Sequence, residues 1–460
     1  MKYKLLSLKQ ILIFKKSQIS KIYLLGILFI CIYNILFYDP ILGYDAEAHY
    51  EYVDYLSRYL PRDFKLPSNL NSREFFNPPI PYVIPSFAQV ICRNVIDSND
   101  FLRDCKLYYG LATQISQFLF YILTIFFNLK TLKIYFKSNE LINLNYLAMV
   151  SLLAVNYRTI SMLRGEPYIL LFLSLILYKF INLYNKNFQI TKYDILISGI
   201  LIGFLALSRQ WAFLLFPAFF VLIIYFKKEY RNDYIKFILG TFLVGFLTSS
   251  WFYFNLLIKY GSFTAFNKVS MGFNFSNQPL NFYIPTLNDL KFVFSKPIRP
   301  YFSNQFLTTL YSDFWGDYWG YFVFTSGNLE AGRNQLIIGD YLARVNIVSL
   351  PITIFLLYST YWVIKNIKNN IFLNYIMYSL FFTLVGYLWF LISYPEFPSG
   401  DTNKATYVVQ LFNLIIIYSS IYLDYLSKNR KKTYNIVMIY LLFAFVHNFS
   451  SYLSHFPYRF

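Results

Sequence analysis

Charged residues are confined to a few short stretches of this chain, and long apolar segments separate them. Eleven of these segments come close to the ~20 residues that a helix needs to cross a bilayer. They are residues 21–38, 107–128, 141–157, 166–183, 194–208, 211–226, 237–257, 345–364, 371–394, 406–425 and 434–452. With 57% hydrophobic and 14% charged residues, the 460-residue chain has no room for a large separate soluble domain. The sequence therefore predicts an all-α polytopic membrane protein whose single membrane domain covers residues 1–460.

The charges also predict the orientation of the spans. With a cytoplasmic N-terminus, the loops of one side hold 22 of the 41 basic residues and five of the 23 acidic residues, a net charge of +17. The other side holds the remaining 19 basic and 18 acidic residues, a net charge of +1. This asymmetry is the positive-inside pattern, and a shift by one span would mix the two sets. We expect an inside N-terminus, an outside C-terminus and a location in a bacterial plasma (inner) membrane.

The basic excess favours membrane lipids as partners over nucleic acid. The cations lie in short loops beside apolar spans, where anionic lipid headgroups are the nearest partners. No small-residue cleavage site follows Tyr38, so the first span is expected to be an uncleaved anchor. Cys92 and Cys105 lie in one outside segment, where an oxidising exterior allows a disulfide. Two free, partly buried thiols are the alternative.

Two outside loops are long, residues 39–106 and 258–344, and the first is expected to contain juxtamembrane helices. The second is rich in aromatic residues and Pro, which suits packing at the outer interface. The spans nearly lack ionisable residues, which weighs against a proton- or ion-coupled transporter. Polar residues collect instead at the outside ends of the spans, which favours a reaction at the outer interface. They are Asp45, Glu47, His49, Asn77, Arg158, Arg164, Glu166, Arg209, Asp401 and Lys404.

The start of the first loop reads as an amphipathic helix that begins at Asp45. At 100° per residue, one narrow polar arc contains four residues: Glu47, Glu51, Asp54 and Arg58. Asp54 and Arg58 are also spaced to form an ion pair. Asp45 and His49 fall on the opposite, apolar face, where a carboxylate is costly unless it has a task or a partner. Asp45 is therefore a candidate catalytic residue, with a helix cap as the alternative, whereas His49 is expected to pack or hydrogen-bond.

Three other outside positions combine polar groups with restricted backbone. Two prolines after Asn77 fix an extended turn that can aim the side chains of Asn77 and Glu74 back at the membrane surface. Glu166 precedes Pro167 at the start of a span and is either a site residue or a cap. Arg209 lies in a turn too short to reach far into water, so we expect it to be held within the protein. A guanidinium there suits a phosphate, and an interfacial Arg beside a Trp is the alternative.

Together these motifs resemble the GT-C superfamily of polytopic membrane glycosyltransferases. The resemblance is to the family 39-like group that includes protein mannosyltransferases and lipid A aminoarabinose transferases. It lies in residues 44–50 (Tyr-Asp-Ala-Glu-Ala-His-Tyr), 77–82 (Asn-Pro-Pro-Ile-Pro-Tyr), Arg209 and 400–407 (Gly-Asp-Thr-Asn-Lys-Ala-Thr-Tyr). Many relatives have adjacent Asp-Glu where Ala46 here separates Asp45 from Glu47.

The resemblance implies a polyprenyl-phosphate-linked sugar donor and a glycan, lipid or protein acceptor at the outer membrane face. It implies inverting hexosyl or pentosyl transfer, with Asp45 as general base and Glu47 as its helper. Arg209 and Lys404 would hold the lipid phosphate. The other candidate substrate-binding residues are His49, Asn77, Arg164, Glu166 and Asp401.

Four residues of the second loop, Asp313, Trp315, Asp317 and Trp319, could form a sugar or acceptor wall or an interfacial aromatic cluster. No His or Cys spacing resembles a zinc site, and no cofactor is expected. A divalent cation held by Asp45 and Glu47 is the alternative, and their opposed helix faces argue against it.

Two other functions fit a chain with many spans. A polysaccharide polymerase would be expected to carry several arginines in its large outside loop, and the second loop contains Arg299, Arg333 and Arg344. A lipid-linked-sugar transporter or flippase would need charged groups along an interior path, and the spans nearly lack them.

The charge asymmetry generates a topology test. Reporter fusions at Asn187 and at Gln335 should report the inside and the outside of the membrane, respectively, because an odd number of predicted spans separates them. Activity of a periplasmic reporter and of a cytoplasmic reporter at each site measures this. The same location at both sites would overturn the predicted orientation.

Overall fold

The computed structural model describes residues 8–39, 41–95, 101–137, 141–299, 301–323, 335–366, 370–396 and 400–455. Within these ranges, all regular secondary structure is helical. Seven helical segments are long and apolar enough to cross a membrane. They are Gln18–Phe37, Tyr108–Tyr135, Glu166–Asn185, Lys228–Tyr260, Gly339–Lys365, Ile371–Ser393 and Ala405–Asn429. The chain is therefore the all-α polytopic membrane protein that its sequence predicts.

We number the α-helices in chain order. They are α1 Leu8–Phe37, α2 Ala46–Tyr59, α3 Ile80–Val95, α4 Phe101–Tyr135, α5 Leu141–Val150, α6 Ala154–Ser161, α7 Glu166–Asn185, α8 Lys192–Ala206, α9 Phe216–Val221, α10 Lys228–Tyr260, α11 Leu280–Tyr283, α12 Leu287–Val293, α13 Phe306–Trp315, α14 Gln335–Lys365, α15 Ile371–Ser393, α16 Val409–Asn429 and α17 Lys431–His447.

The four remaining predicted spans are also helical but shorter. Residues 141–157 divide into α5 and α6, and residues 194–208 form the 15-residue α8. Residues 211–226 form α9 between two 3₁₀ turns, with Pro217 in its first turn, and the last predicted span overlaps the 17-residue α17. A proline at that position removes no intrahelical hydrogen bond, so it begins the α-helical part.

Close helix pairs surround a central helix. The segment that contains α16 has 89% of its apolar stretch buried, and α5, α7, α14, α15 and α17 pack around it. On the flank, α8 lies against α10 through Gly199 and Gly203. A Cβ added at these glycines would lie 2.4 Å from Val244 Cβ and 2.5 Å from Thr248 Cβ. Small residues let the two backbones approach closely, as is usual for helices that pack within a membrane.

Helices α2 and α3 of the first loop pack against each other and onto α4. A disulfide joins Cys92 of α3 to Cys105 of α4, with their Cα atoms 5.6 Å apart, so the free-thiol alternative is wrong. The predicted ion pair is confirmed: Arg58 Nη2 lies 2.5 Å from Asp54 Oδ2. Asp54 is nevertheless buried, because Arg93 of α3 also pairs with it. The prediction that Asp54 lies on the polar, solvent-facing arc of α2 is therefore wrong, because α3 covers that part of α2.

The disulfide generates a test by thiol labelling. The denatured chain should take up one maleimide before reduction, at Cys31, and three after reduction, because Cys92 and Cys105 are bonded to each other. Intact-mass spectrometry counts the labels. A Cys92→Ser variant should take up two labels without reductant. Three labels on the unreduced wild-type chain would contradict the bond.

Candidate active site

Residues far apart in sequence meet at one cavity of about 380 Å³. Its charged lining residues are Asp45, Arg73, Glu74, Arg209, Lys268, Arg299, Glu396, Asp401 and Lys404. They come from the two long loops and from the short turns that the sequence placed on one side of the membrane. Its apolar lining residues include Phe213 and Leu214 beside α9, and Trp389 and Phe390 of α15. The cavity therefore combines charged residues with an apolar wall contributed by membrane helices.

Asp45 lines this cavity and lies immediately before α2. Its φ of 52° is in the left-handed region, which Asp tolerates better than most residues. The side chain makes no capping hydrogen bond, so the cap alternative is wrong. The helix begins at Ala46, and Asp45 therefore does not lie on an apolar helix face as predicted. Its carboxylate instead reaches the cavity.

Two cations flank the Asp45 carboxylate. Lys404 Nζ lies 3.3 Å from Oδ2, and Arg73 Nη2 lies 3.9 Å from Oδ1. The Lys404 ammonium holds the pKa of Asp45 below its ordinary range, and partial burial opposes this shift without reversing it. Asp45 is therefore ionised at neutral pH, as a general base must be.

Glu47 and His49 do not reach the cavity lining. Glu47 is exposed on the solvent side of α2, as expected for a residue of the predicted polar arc. His49 is buried, and its Nδ1 lies 2.7 Å from the hydroxyl of Tyr82. Burial lowers the pKa of His49 well below its usual value, so this imidazole is neutral at neutral pH. Its environment matches the expectation that it packs and hydrogen-bonds.

Arg209 is buried and surrounded by acceptors, as expected for a turn that cannot reach water. Its Nε lies 3.3 Å from Glu166 Oε1, and its Nη1 lies 3.8 Å from Glu74 Oε2 and donates to Asn77 Oδ1. Burial raises the pKa of Glu74. Asn77, Glu74 and Arg209 line the cavity, whereas Glu166 lies behind Arg209.

A glycine makes the position of Arg209 possible. A Cβ on Gly165 would lie 2.2 Å from the carbonyl oxygen of Ser208 and 2.5 Å from Arg209 Cγ. Any other residue there would push the 208–209 turn away from the start of α7. Gly165, which directly precedes Glu166, therefore allows Arg209 to come close to Glu166.

Arg164 is also buried and lies outside the cavity lining. Its Nη2 donates to the carbonyl of Tyr44 at 3.1 Å, and its guanidinium lies 5.0 Å from the centre of the Tyr44 ring. Lys404 Nζ lies 4.9 Å from the same ring centre. Tyr44 thus interacts with two of the predicted site cations through cation–π contacts.

The second loop is anchored by buried charges, which corrects both interpretations of Asp313, Trp315 and Asp317. Arg158 Nη2 lies 3.1 Å from Asp313 Oδ1, its Nη1 lies 3.8 Å from Asp317 Oδ1, and all three side chains are at most 1% exposed. Trp315 is buried and donates to Thr353. Of the four residues, Trp319 alone lines the cavity. Asp313, Trp315 and Asp317 are buried and lie outside the cavity lining, so they form neither a sugar wall nor an interfacial cluster. For Trp319 the wall interpretation stays a prediction.

Asp313 also connects the two sides of the candidate site. It accepts a hydrogen bond from the Tyr44 hydroxyl at 3.1 Å and from the backbone N–H of Ala405 at 2.7 Å. Tyr44 precedes Asp45, and Ala405 follows Lys404. A single buried carboxylate therefore contacts the chain beside both members of the Asp45–Lys404 pair.

Sequence reasoning missed four charged residues of the cavity: Arg73, Lys268, Arg299 and Glu396. The nearest signal was the position of Arg73 beside the Glu74–Asn77 turn. Arg299 stacks 5.4 Å from the Trp319 ring centre and lies 3.8 Å from Asp401. Of the other loop-two arginines, Arg344 lies on α14 and Arg333 is outside the described residues.

Metal-ligating side chains show no clustering in the described part of the chain, where no group of three or more His, Cys, Asp or Glu could hold an ion. The Asp45–Glu47 pair proposed for a divalent cation is divided between the cavity and the exposed face of α2. The carboxylates and basic side chains of the cavity lining supply groups for acid–base chemistry and for anion binding.

The buried ion group generates a stability test. Asp313→Ala leaves the Arg158 charge without its nearer partner, which typically costs about 3–5 kcal/mol in the free energy of unfolding. Asp233→Ala is the control, because the exposed Asp233–Lys236 pair at 3.7 Å should contribute below about 1 kcal/mol. Denaturant unfolding in mixed micelles measures both. Equal losses would mean that the buried group does not stabilise the fold.

Comparisons with known proteins find structural likeness only. No protein-family profile matches the chain, and no curated protein sequence matches it. The archaeal oligosaccharyltransferase AglB from Archaeoglobus fulgidus, solved with an inhibitory peptide and a dolichol-phosphate, superposes with a TM-score of 0.52 at 12% identity. That match covers 95% of this chain and 56% of the other chain.

A second structure, the Archaeoglobus fulgidus oligosaccharyltransferase tethered to an acceptor peptide containing the NVT sequon, has a TM-score of 0.50 at 10% identity. It covers 95% of this chain and 56% of its own, so the chain spans little more than half the length of these proteins. The family 39-like part of the resemblance stays a prediction. What the likeness shows is the fold: the chain is a polytopic membrane protein with a GT-C-like architecture.

Proposed function

We propose that this protein is an inverting glycosyltransferase that moves a sugar from a polyprenyl-phosphate donor to an acceptor hydroxyl at the outer membrane face. One observation carries the proposal. A single cavity is lined by an ionised carboxylate, by two buried cations and by an apolar wall of membrane helices. That combination matches a substrate with a lipid chain, a phosphate and a sugar.

The apolar wall suits the lipid chain. Gly386 of α15 packs so tightly against the segment before α9 that an added Cβ would lie 2.2 Å from Leu214 Cδ2. Trp389, one turn further along α15, is 51% exposed at the outer surface of the bundle. A prenyl chain could enter from the bilayer beside Trp389 and place its phosphate at Arg209 and Lys404.

The cations suit the departing phosphate. Arg209 is held by Glu74, Glu166 and Asn77 before any substrate arrives, and such preorganisation lowers the cost of stabilising new charge. Lys404 is 9% exposed and shares its charge with Asp45. A phosphate at Lys404 would compete with Asp45 for that ammonium. Donor binding would then raise the pKa of Asp45 and make it a stronger base.

The transfer is a single displacement. The acceptor oxygen attacks the anomeric carbon of the sugar, and its proton passes to the Asp45 carboxylate. The bond between the anomeric carbon and the phosphate oxygen breaks, and its electron pair stays with the lipid phosphate. Arg209 and Lys404 stabilise the charge that the phosphate gains. Attack from the face opposite the leaving group inverts the anomeric configuration.

The archaeal oligosaccharyltransferase likeness supports this proposal at the level of the fold. One of its structures contains a dolichol-phosphate, and another carries a tethered acceptor peptide. Both ligands belong to those proteins, and function has to be argued from the residues of a site rather than from the fold. For this chain, that argument is the convergence of Asp45, Arg209 and Lys404.

The general base has a direct test. Asp45→Asn keeps the shape of the side chain and removes the base, so sugar transfer should fall by about 10²–10⁴-fold. Glu47→Gln, its matched control on the exposed face of α2, should keep measurable activity. Transfer from a radiolabelled polyprenyl-phosphate sugar to membrane acceptors measures both. An active Asp45→Asn enzyme beside an inactive Glu47→Gln enzyme would reverse the two roles, and two active variants would end the proposal.

The Asp45–Lys404 pair predicts a pH shift. Removing the ammonium in Lys404→Ala takes away the largest influence that lowers the pKa of Asp45, whereas burial, which raises it, remains. The acidic limb of kcat/KM should therefore move to higher pH, because Asp45 is protonated earlier as the pH falls. A Lys236→Ala enzyme, changed at an exposed lysine outside the cavity, should keep the wild-type profile. An unchanged limb in Lys404→Ala would show that Asp45 does not set it.

The phosphate ligands have a separate test. Arg209→Ala and Lys404→Ala should each weaken binding of farnesyl phosphate, a short polyprenyl phosphate, while the folded fraction stays close to that of the wild type. Binding in detergent measures this. A variant with wild-type affinity would remove that residue from the phosphate site and direct the search to Arg299, another basic residue of the cavity lining.

A further inference from the structure

A second cavity, of about 580 Å³, adjoins the first. The two cavities share a wall whose lining residues are Arg73, Thr264, Phe266, Asn267, Lys268 and Tyr394. A volume of this size lies within the roughly 300–1,000 Å³ that is usual for small-molecule sites. The first cavity accounts for the donor, so the second is available to another ligand beside the same carboxylate.

The lining of the second cavity differs from that of the first. Its charged lining residues within the described chain are both basic, Arg73 and Lys268. The side chains of Asn69 and Ser262 add polar groups, and the ring of Tyr260 lies 4.5 Å from that of Phe75. Amides and hydroxyls that alternate with aromatic faces suit a saccharide, whose rings present hydroxyl edges and apolar C–H faces.

Both basic residues are oriented by acids of the first cavity. Arg73 lies 3.9 Å from Asp45, and Lys268 forms an ion pair with Glu396. The side chains of Arg73 and Lys268 are 68% and 46% exposed, so each retains accessible surface for a further anion. Neither acid lines the second cavity, which therefore presents positive charge to whatever enters it.

The geometry of Asp45 gives the two cavities different roles. Its Oδ2 faces Lys404, which lines the first cavity alone, whereas its Oδ1 faces Arg73, which lines both. Oδ1 is thus the oxygen nearer the shared wall. A hydroxyl group that approaches from the second cavity would meet this oxygen without displacing Lys404.

We propose that the second cavity binds the acceptor and that this acceptor is a saccharide carrying an acidic group, a carboxylate or a phosphate. The inference rests on the proposed function, because it assigns the acceptor side of the same reaction. Arg73 and Lys268 bind the acidic group, and the aromatic residues hold the sugar ring. The reacting hydroxyl reaches across the shared wall to Asp45 Oδ1, which lines the first cavity.

Matched saccharide probes test the charge preference without any donor. The full-length protein in detergent is titrated with lactobionate and its neutral counterpart lactitol, and with maltose 1-phosphate and maltose, and NMR line broadening gives each Kd. At low salt, the acidic member of at least one pair should bind about five-fold more tightly. The pair with the larger preference distinguishes a carboxylate from a phosphate. Equal affinities in both pairs would overturn the inference.

Variants assign any preference to the cavity. Arg73→Gln and Lys268→Gln should each reduce it, and both residues are exposed enough to be replaced without loss of folding. Arg62→Gln is the matched control, because Arg62 is an exposed arginine of the first long loop that does not line the cavity. A preference that survives Arg73→Gln and Lys268→Gln together would place anion binding elsewhere and overturn the assignment.

The outcome is separable from that of the proposed function. Farnesyl phosphate binding and its loss in Lys404→Ala test the donor side, and the saccharide pairs test the acceptor side. Normal farnesyl phosphate binding with no acidic-saccharide preference would remove only the acceptor inference. Absent farnesyl phosphate binding with an intact preference would remove the donor assignment and leave an acidic-saccharide site.

Discussion

The structure around the cavity depends on one buried ion group, Arg158 with Asp313 and Asp317. Removing three charged side chains from water is expensive, and the expense is offset only if each finds partners. Asp317 accepts from the backbone N–H groups of Phe322 and Val323, and Arg158 donates to backbone carbonyls of the second loop. The loop is therefore folded onto α6 by electrostatics and hydrogen bonds, in a region where apolar burial alone would specify no single arrangement.

The buried ion group positions the candidate active site through Asp313. Because Asp313 contacts both Tyr44 and the N–H of Ala405, the second loop holds together the start of α2 and the start of the α16 segment. These two chain segments supply Asp45 and Lys404, which are separated by more than three hundred residues in sequence. A long-range pair of this kind is easily lost if either backbone shifts. The anchoring carboxylate limits such shifts at both members at once.

The sequence predicted the larger features well, because membrane physics constrains them strongly. Span positions follow from apolar length. The charge asymmetry places Asp45, Asn77, Arg209 and Lys404 on one predicted side, and all four line the cavity. Side-chain partners were harder. The Asp313–Trp319 stretch has the composition of an interfacial belt, and nothing local reveals that Arg158, on another helix, makes it a buried anchor. Asp54 was misplaced for a similar reason, since α3 covers it and no periodicity within α2 reports that.

The half-exposed Trp389 in the cavity lining determines which donor concentration would control the reaction rate. A substrate that arrives sideways through the bilayer is counted by its mole fraction among lipids, a two-dimensional concentration, and not by its amount per volume of water. Diluting the membrane with inert lipid would then slow turnover even when the total donor in the tube is constant. Saturation, competition and inhibition at this site would all have to be described on the surface scale of the membrane.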